Sequence, residues 1–120
     1  MKFMFRHSAA ALDFCGKLED LILDQSQWSQ ATFGEDSVRG PMGALKHLEK
    51  EAAEAQRALD IGPDNTLEEM ADCFLLLLDA NRRAGFKIGD LIEAAKVKMV
   101  VNKQRTWPKP TSDEPVEHVR

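Results

Sequence analysis

Two pairs of carboxylates attract attention in this sequence because the members of each pair are three residues apart. Glu51 and Glu54 form the first pair, and Glu69 and Asp72 form the second. Side chains three residues apart lie on one face of an α-helix, so each pair presents its carboxylates side by side. If the two segments are neighbouring helices, all four carboxylates converge. Oxygen ligands of this kind favour Mg²⁺, with Mn²⁺ as the alternative.

Asp72 gives the strongest local signal for a bound cation. It lies among Met70, Ala71, Cys73 and Phe74, and a charged carboxylate on a buried helix is costly unless it is paired or coordinated. Zinc is disfavoured because its structural sites use cysteine or histidine ligands. Iron is disfavoured because a di-iron bundle needs Glu-x-x-His pairs, and neither pair here has a histidine in its second place.

Helix capping is an alternative role for part of the second acidic pair. Glu69 lies three residues after Thr66, and Glu68 lies three residues after Asn65. Either combination matches a capping box, in which the glutamate satisfies a backbone N–H group at the start of a helix. Because Glu68 can fulfil this role, Glu69 stays a candidate ligand.

Other charged residues near the two pairs have simpler explanations. The acidic residues of the first pair also fit a solvent-facing row of i,i+3 ion pairs. Asp79 and Arg83 have the spacing of an ordinary i,i+4 ion pair, so we expect a structural role for them. His47 lies one turn before Glu51, and we expect it to pack or hydrogen-bond and not to bind metal.

A row of cationic and amide side chains follows near the end of the last predicted helix. Lys98, Asn102 and Arg105 continue the apolar spacing of Leu91 and Ala95. Lysine offers a point charge and arginine a planar fork, and both suit phosphate groups. Favourable charge at a helix C-terminus explains the same pattern equally well.

Three aromatic residues are candidates for stacking on a nucleobase. They are Trp28, Phe33 and Trp107. Tryptophan and phenylalanine are also the residues that most often fill the core of a small helical protein, so packing is the alternative role.

Apolar residues at spacings of three and four predict helices almost throughout the chain. We expect an all-α bundle of four to five helices, with helices over residues 8–28, 44–59, 65–84 and 88–107. Ser8 is the candidate cap of the first helix, and the second and third helices form an antiparallel hairpin. The apolar run at residues 74–78 coats the third helix on all sides, which predicts burial at the centre of a bundle or in a subunit interface.

Length and composition limit the class of protein. The 120 residues are 43% hydrophobic and 30% charged, which excludes a disordered chain, and the longest apolar stretch is too short for a membrane span. We expect a single domain over residues 1–107 and an extended tail over residues 108–120. The 16 lysine and arginine residues are outnumbered by 20 aspartate and glutamate residues, which gives a net charge of −4. A protein that binds duplex nucleic acid is typically basic, so we do not expect this function.

The start of the chain and the cysteines predict a cytoplasmic location. The first seven residues lack the long apolar core of a signal peptide. Cys15 and Cys73 have no metal-binding or redox spacing, so we expect both thiols to act as small hydrophobic groups in a reducing compartment.

The chain resembles the all-α nucleoside triphosphate pyrophosphohydrolases of the MazG-like superfamily. Their signature is Glu-x-x-Glu followed, after a short hairpin, by Glu-x-x-Asp, and residues 51–54 and 69–72 match it. Residues 43–54 and 102–108, with Trp28, 32–34 and 117–120, resemble the dATP/dGTP pyrophosphohydrolase-like branch of phages and bacteria. Many members carry a double glutamate at the first pair, and Lys50 departs from that pattern.

The resemblance implies a Mg²⁺-dependent enzyme that cleaves a (d)NTP between the α and β phosphates, with dGTP or dATP as the substrate. It also implies a homodimer or homotetramer in the cytoplasm of a bacterium or of a phage-infected host. The implied metal ligands and catalytic residues are Glu51, Glu54, Glu69 and Asp72. The implied substrate-binding residues are Lys98, Asn102, Lys103, Arg105, Trp28, Phe33 and Trp107.

Two interpretations from other functional classes compete with this one. A non-catalytic helical interaction module accounts for the apolar helical faces. A carboxylate-bridged metal oxidoreductase accounts for the acidic pairs, and it requires iron and a visible chromophore.

Overall fold

A computed structural model describes residues 7–120, and within that part the chain forms four α-helices. They are α1 (Ala9–Phe33), α2 (Met42–Ala58), α3 (Pro63–Arg83) and α4 (Ile88–Gln104). The described residues contain no β-strand beyond an isolated bridge between Thr106 and Val119, so the all-α prediction is confirmed. No described helix combines the length and the apolar character needed to cross a bilayer. Residues 1–6, where the predicted domain begins and on which the signal-peptide prediction depends, lie outside the described residues.

Helix α1 starts as predicted and ends later than predicted. The hydroxyl of Ser8 accepts a hydrogen bond from the backbone N–H of Ala11 at 3.0 Å. The helix continues past Trp28 to Phe33 because no helix-breaking residue intervenes before Gly34, which ends it with a φ of 113°. Glycine adopts this left-handed conformation without steric cost. The longer helix carries Trp28 and Phe33 on one rigid element.

Helix α3 starts earlier than predicted. Pro63 occupies its first turn, where the missing N–H of proline needs no partner, and Gly62 takes the N-cap position. Asn65 and Thr66 therefore lie inside the helix, and the Thr66 hydroxyl donates to the Gly62 carbonyl at 3.0 Å. The prediction that Asn65 or Thr66 caps α3 is wrong, and with it the capping role considered for Glu69.

Helices α2 and α3 pack against each other through a short turn, as the predicted hairpin requires, and α3 also contacts α1. Small side chains at Ala44, Ala58 and Ala80 are buried together with Leu78. The apolar run of α3 is not buried on all sides within one chain, because Phe74 is 43% exposed. The described residues of one chain therefore do not cover the face of α3 that carries Phe74.

The chain divides into two compact units, one ending at Phe86 and the other covering Lys87–Arg120. In the second unit the segment after α4 is not helical and turns back on itself, because the Val119 N–H donates to the Thr106 carbonyl at 2.7 Å. The indole N–H of Trp107 donates to the Asn102 carbonyl at 2.7 Å. A single domain over residues 1–107 with a separate tail stays a prediction.

A buried arginine ties the end of α1 and the following loop to α3. The side chain of Arg83 is 1% exposed, and its Nε donates to Asp79 Oδ2 at 2.8 Å. Its Nη1 donates to the carbonyls of Gly34 and Arg39 at 2.9 and 3.2 Å, and its Nη2 donates to Ser29 Oγ at 3.0 Å. The ion pair predicted for Asp79 and Arg83 is present, and it anchors two further segments of the chain.

Arg82 extends this network toward the middle of α1. It donates from Nη2 to Asp79 Oδ1 and from Nη1 to Gln25 Oε1, both at 2.6 Å, and from Nε to Asp36 Oδ2 at 3.0 Å. The amide of Gln25 in turn donates to Asp79 Oδ1 at 2.9 Å. Each buried polar group of the network is therefore satisfied by another, which makes its burial tolerable.

The network also controls the charge of Asp79. Burial by itself would raise the pKa of this carboxyl group, but hydrogen bonds from Ser29, Gln25, Arg82 and Arg83 outweigh that effect and hold the pKa well below its usual range. Asp79 is therefore ionised in the folded chain, and its charge is matched by the two arginines.

We expect Asp79→Asn to lower the free energy of unfolding by about 3 kcal/mol at neutral pH. The change removes the carboxylate that pairs with the buried Arg83 at 2.8 Å and leaves, among the described carboxylates, only the longer 3.6 Å contact of Arg83 with Asp36. The pH dependence has a definite sign. A depressed pKa stabilises the fold above the ordinary aspartate value of about 4, and this contribution is lost as the pH falls below it. Urea unfolding from neutral to acidic pH measures both effects, and the variant should show a flatter acid dependence.

Asp13→Asn is the matched control, because Asp13 pairs with Lys17 at 3.1 Å on a surface where both side chains are more than half exposed. An exposed pair of this kind contributes at most about 1 kcal/mol. Equal stability of the two variants would contradict the anchoring role of the buried network.

Candidate metal and nucleotide site

Three of the predicted carboxylates meet where α2 packs against α3. Glu51 on α2 and Glu69 and Asp72 on α3 each place one oxygen within 4.8 Å of the others. Helical periodicity puts Glu69 and Asp72 on one face of α3, and the hairpin brings Glu51 opposite them. The three carboxylates are thus brought together by helical spacing within α3 and by the turn between α2 and α3.

Two expectations from the sequence are not met: Glu54 does not join the grouped carboxylates, and Asp72 is not buried. Glu54 is exposed and is not one of the three grouped residues, although its negative charge acts on Glu69. The expectation that Asp72 is buried among apolar neighbours is wrong, because Asp72 is exposed and its neighbours Met70 and Phe74 face outward as well. The signal for a cation therefore comes from the glutamates.

Two glutamate oxygens carry that signal. Glu51 Oε2 and Glu69 Oε2 are both buried, and neither has a hydrogen-bond partner among the described residues. An ionised carboxylate accepts hydrogen bonds and cannot donate them, so these two groups cannot satisfy each other as anions. A shared proton or a cation is needed. The all-oxygen donor set fits Mg²⁺ or Mn²⁺.

The pKa of Glu69 responds to this crowding. Loss of hydration raises the pKa of Glu69. The hydrogen bond that a protonated Glu69 can donate to Glu51 raises it further, and so do the negative charges of Glu54, Glu51 and Asp72. In the absence of a cation, a proton on Glu69 thus relieves part of the repulsion. A cation and a proton compete for the same oxygens.

The two cysteines lie in different environments. Burial raises the pKa of the Cys73 thiol, and the nearby charges of Glu51, Asp72 and Glu69 raise it further, so the thiol stays neutral. Its predicted behaviour as a small hydrophobic group agrees with this environment. The same prediction is wrong for Cys15, which is exposed on α1.

A cleft of about 360 Å³ opens beside the carboxylates. Trp28 and Phe33 from α1 form an aromatic wall, with their ring centroids 5.3 Å apart and their planes perpendicular. Glu51 and Asp72 line the same cleft. The C-terminal part of α1 thus places the predicted base-stacking residues Trp28 and Phe33 in the same cleft as two predicted metal ligands.

The remaining predicted residues belong to the second unit. Lys98, Asn102 and Lys103 lie on α4, Arg105 follows it at the C-cap position, and Trp107 comes next along the chain. Arg105 Nη1 donates to Asn102 Oδ1 at 3.4 Å, so these two polar groups lie side by side. Their contact with a nucleotide stays a prediction.

Sequence reasoning did not identify Asp24 and Gln25 as cleft residues, and it predicted Asp79 only as the ion-pair partner of Arg83. Asp24 and Gln25 line the cleft from α1, and Asp79 lines it from α3. The available signal was the spacing of Gln25 and Ser29, which are four residues apart and form the buried polar positions of α1. Their pairing with Asp79 and Arg83, also four apart, depends on the packing of two distant segments.

The family model described as dATP/dGTP pyrophosphohydrolase matches residues 21–120. The chain belongs to the dATP/dGTP pyrophosphohydrolase family. The matched range includes every predicted site residue from Trp28 to Trp107. The predicted resemblance to the dATP/dGTP pyrophosphohydrolase branch is confirmed.

Two known proteins are similar to this dATP/dGTP pyrophosphohydrolase family member. The Eaa protein of Salmonella phage P22 is 43% identical over 102 residues, which cover 85% of this chain but only 30% of that protein. The chain therefore spans less than a third of its phage relative.

The second similarity is to a solved structure and concerns the fold. The cyanophage S-2L MazG-like pyrophosphohydrolase superposes with a TM-score of 0.59 at 23% identity, over 85% of this chain and 92% of that one. That protein was solved with dGDP and three catalytic Mn²⁺ ions per active site.

We expect Mn²⁺ to bind this chain in the absence of nucleotide, with an affinity that rises with pH above the ordinary glutamate range, because the raised pKa of Glu69 lets a proton compete for its oxygens. Asp72→Asn should weaken binding by about tenfold or more, because it removes one charged oxygen ligand. Titration of free Mn²⁺ by electron paramagnetic resonance measures the affinity directly.

Glu68→Gln is the control, since Glu68 is an exposed carboxylate on the same helix that lies outside the grouped residues. Equal loss of affinity in the two variants would mean that Mn²⁺ responds only to the total negative charge of the helix.

Proposed function

We propose that this chain is a divalent-cation-dependent nucleoside triphosphate pyrophosphohydrolase. It hydrolyses the bond between the α and β phosphates of a (d)NTP, so that one water is consumed and a (d)NMP and pyrophosphate are released. The observation that carries the proposal is the pair of buried, unpartnered oxygens of Glu51 and Glu69 beside Asp72, at a cleft walled by Trp28 and Phe33. The family match over residues 21–120 supports the reaction type.

Mg²⁺ is the proposed physiological cation, with Mn²⁺ as the alternative. The Mn²⁺ ions of the cyanophage protein support a divalent cation at this site. Glu51, Glu69 and Asp72 would hold it, and Glu54, whose charge acts on Glu69, is the fourth candidate ligand. When bound, the cation supplies positive charge that neutralises the phosphates and acidifies water. One of the four carboxylates orients the attacking water toward the α-phosphorus and accepts its proton.

The nucleotide is proposed to lie with its base against the aromatic wall of the cleft. Trp28 and Phe33 present ring faces and edges that suit a flat heterocycle, and Trp107 is the third candidate. The cationic and amide side chains of the second unit would stabilise the charge that gathers on the leaving pyrophosphate, and they are Lys98, Asn102, Lys103 and Arg105.

The proposed substrate is a purine deoxynucleoside triphosphate, dGTP or dATP. The family description supports this class, and so does the dGDP bound to the cyanophage protein. The phage relatives also support a place in the cytoplasm of a bacterium or a phage-infected host. A net charge of −4 argues against duplex nucleic acid as a partner.

The proposal predicts release of pyrophosphate and monophosphate from dGTP or dATP in the presence of Mg²⁺. Asp72→Asn and Glu54→Gln should each lower kcat/KM by about a hundredfold or more, because charge stabilisation by the cation depends on these ligands. Chromatography that resolves monophosphate from diphosphate products, over a panel of (d)NTPs, is the measurement.

Glu49→Gln is the control, because Glu49 is an exposed acidic residue of α2 outside the cluster. Full activity of the Asp72 and Glu54 variants would show that the site is misplaced. Absence of pyrophosphate release from every (d)NTP would favour a helical interaction module, and iron with a visible chromophore in the purified protein would favour an oxidoreductase.

We further propose that a second copy of the chain covers the apolar face of α3, giving a homodimer or homotetramer. Phe74 and Leu77 are 43% and 38% exposed on this face, and Met70, one turn before Phe74, is 54% exposed. Phe74→Glu should shift the mass measured by light scattering toward the monomer, because it introduces a charge into an apolar contact. Val38→Glu, at a site that is 81% exposed on a loop, is the control. A monomeric mass for the unmodified chain would contradict the assembly.

A further inference from the structure

We propose that His47 is a positioning residue of the cation site, an inference that rests on the function proposed above. His47 would hold one oxygen of Glu51 so that the other oxygen faces the neighbouring carboxylates. His47 Nε2 lies 3.1 Å from Glu51 Oε1. The partner oxygen, Glu51 Oε2, is the buried one that lacks a hydrogen bond. A single histidine thus occupies the outer side of the carboxylate and leaves its inner side for a cation.

The local geometry of α2 makes this contact direct. His47 precedes Glu51 by four residues, a spacing at which helical side chains meet on one face. Because an ionised carboxylate accepts hydrogen bonds and cannot donate them, the Nε2–H of His47 is the donor in this contact. A carboxylate group is planar, so fixing the direction of one oxygen also fixes the direction of the second.

Burial shows which partner is the ligand and which is the support. The side chain of Glu51 is 14% exposed, whereas that of His47 is 58% exposed. Among the described residues, His47 makes the only hydrogen bond from outside the acidic group to any of its side chains. Without this contact, Glu51 would be free to turn away from Glu69 and the negative charges around it.

Both residues line the cleft that also holds the aromatic wall. The support is therefore at the site itself, and its effect on cation binding should exceed any effect on folding. Loss of a hydrogen-bonding support to a metal ligand typically weakens metal binding by about 10- to 100-fold.

The test is Mn²⁺ titration of the full chain without nucleotide, so it gives a result even if the proposed hydrolysis fails. His47→Leu should raise the Kd for Mn²⁺ by about 10- to 100-fold and leave the thermal midpoint of the metal-free chain nearly unchanged, since His47 is largely exposed. His47→Gln retains an N–H donor and should restore most of the affinity.

Lys46→Leu is the matched control, because Lys46 is the preceding residue of α2 and is exposed. It should bind Mn²⁺ like the unmodified chain. Unchanged affinity in His47→Leu, equal losses in His47→Leu and Lys46→Leu, a failure of His47→Gln to restore binding, or no Mn²⁺ binding by the unmodified chain would each overturn the proposal.

Discussion

Repulsion among carboxylates is the constraint that organises this molecule. Glu51, Glu69 and Asp72 bring oxygens within 4.8 Å of one another, and Glu54 adds a fourth charge nearby. Folding brings these like charges together, and such crowding costs free energy unless protons or cations offset it. The raised pKa of Glu69 expresses that cost. A bound cation would remove this repulsion, which is why we place the cation site at these carboxylates.

The same chain handles a second buried charge in the opposite way. Asp79 lies in a network with Arg82, Arg83 and Gln25 that satisfies every one of its oxygens. That network joins α1 to α3 and contributes Gln25 and Asp79 to the lining of the cleft, while the buried oxygens of Glu51 and Glu69 at the α2–α3 contact have no hydrogen-bond partner in the described part of the chain. The charge of Asp79 is thus neutralised within the chain, whereas the charges of the acidic group call for an external cation.

Helical periodicity explains how much of this was predictable from sequence. Spacing alone identified the acidic pairs, the hairpin and the Asp79–Arg83 contact, because each depends on neighbours within a turn or on one short connection. Helix boundaries were less certain. Pro63 rather than a polar cap begins α3, and α1 continues to Phe33 because nothing interrupts it before Gly34.

The rest depended on long-range packing. Gln25 meets Asp79 across 54 positions of sequence, and no local pattern encodes that contact. The outward position of Asp72 likewise reflects which face of α3 is covered, a property of the fold and not of its neighbours in sequence. His47 was expected to form a hydrogen bond, but only the structure identifies its partner as a ligand candidate with a free inner oxygen.

Anomalous diffraction at the manganese edge, from crystals grown with Mn²⁺, tests the central claim most directly. The account predicts a peak within about 2 to 2.5 Å of carboxylate oxygens of Glu51, Glu69 and Asp72. A peak at other residues alone, or well-ordered density for these side chains with no manganese beside them, would contradict it.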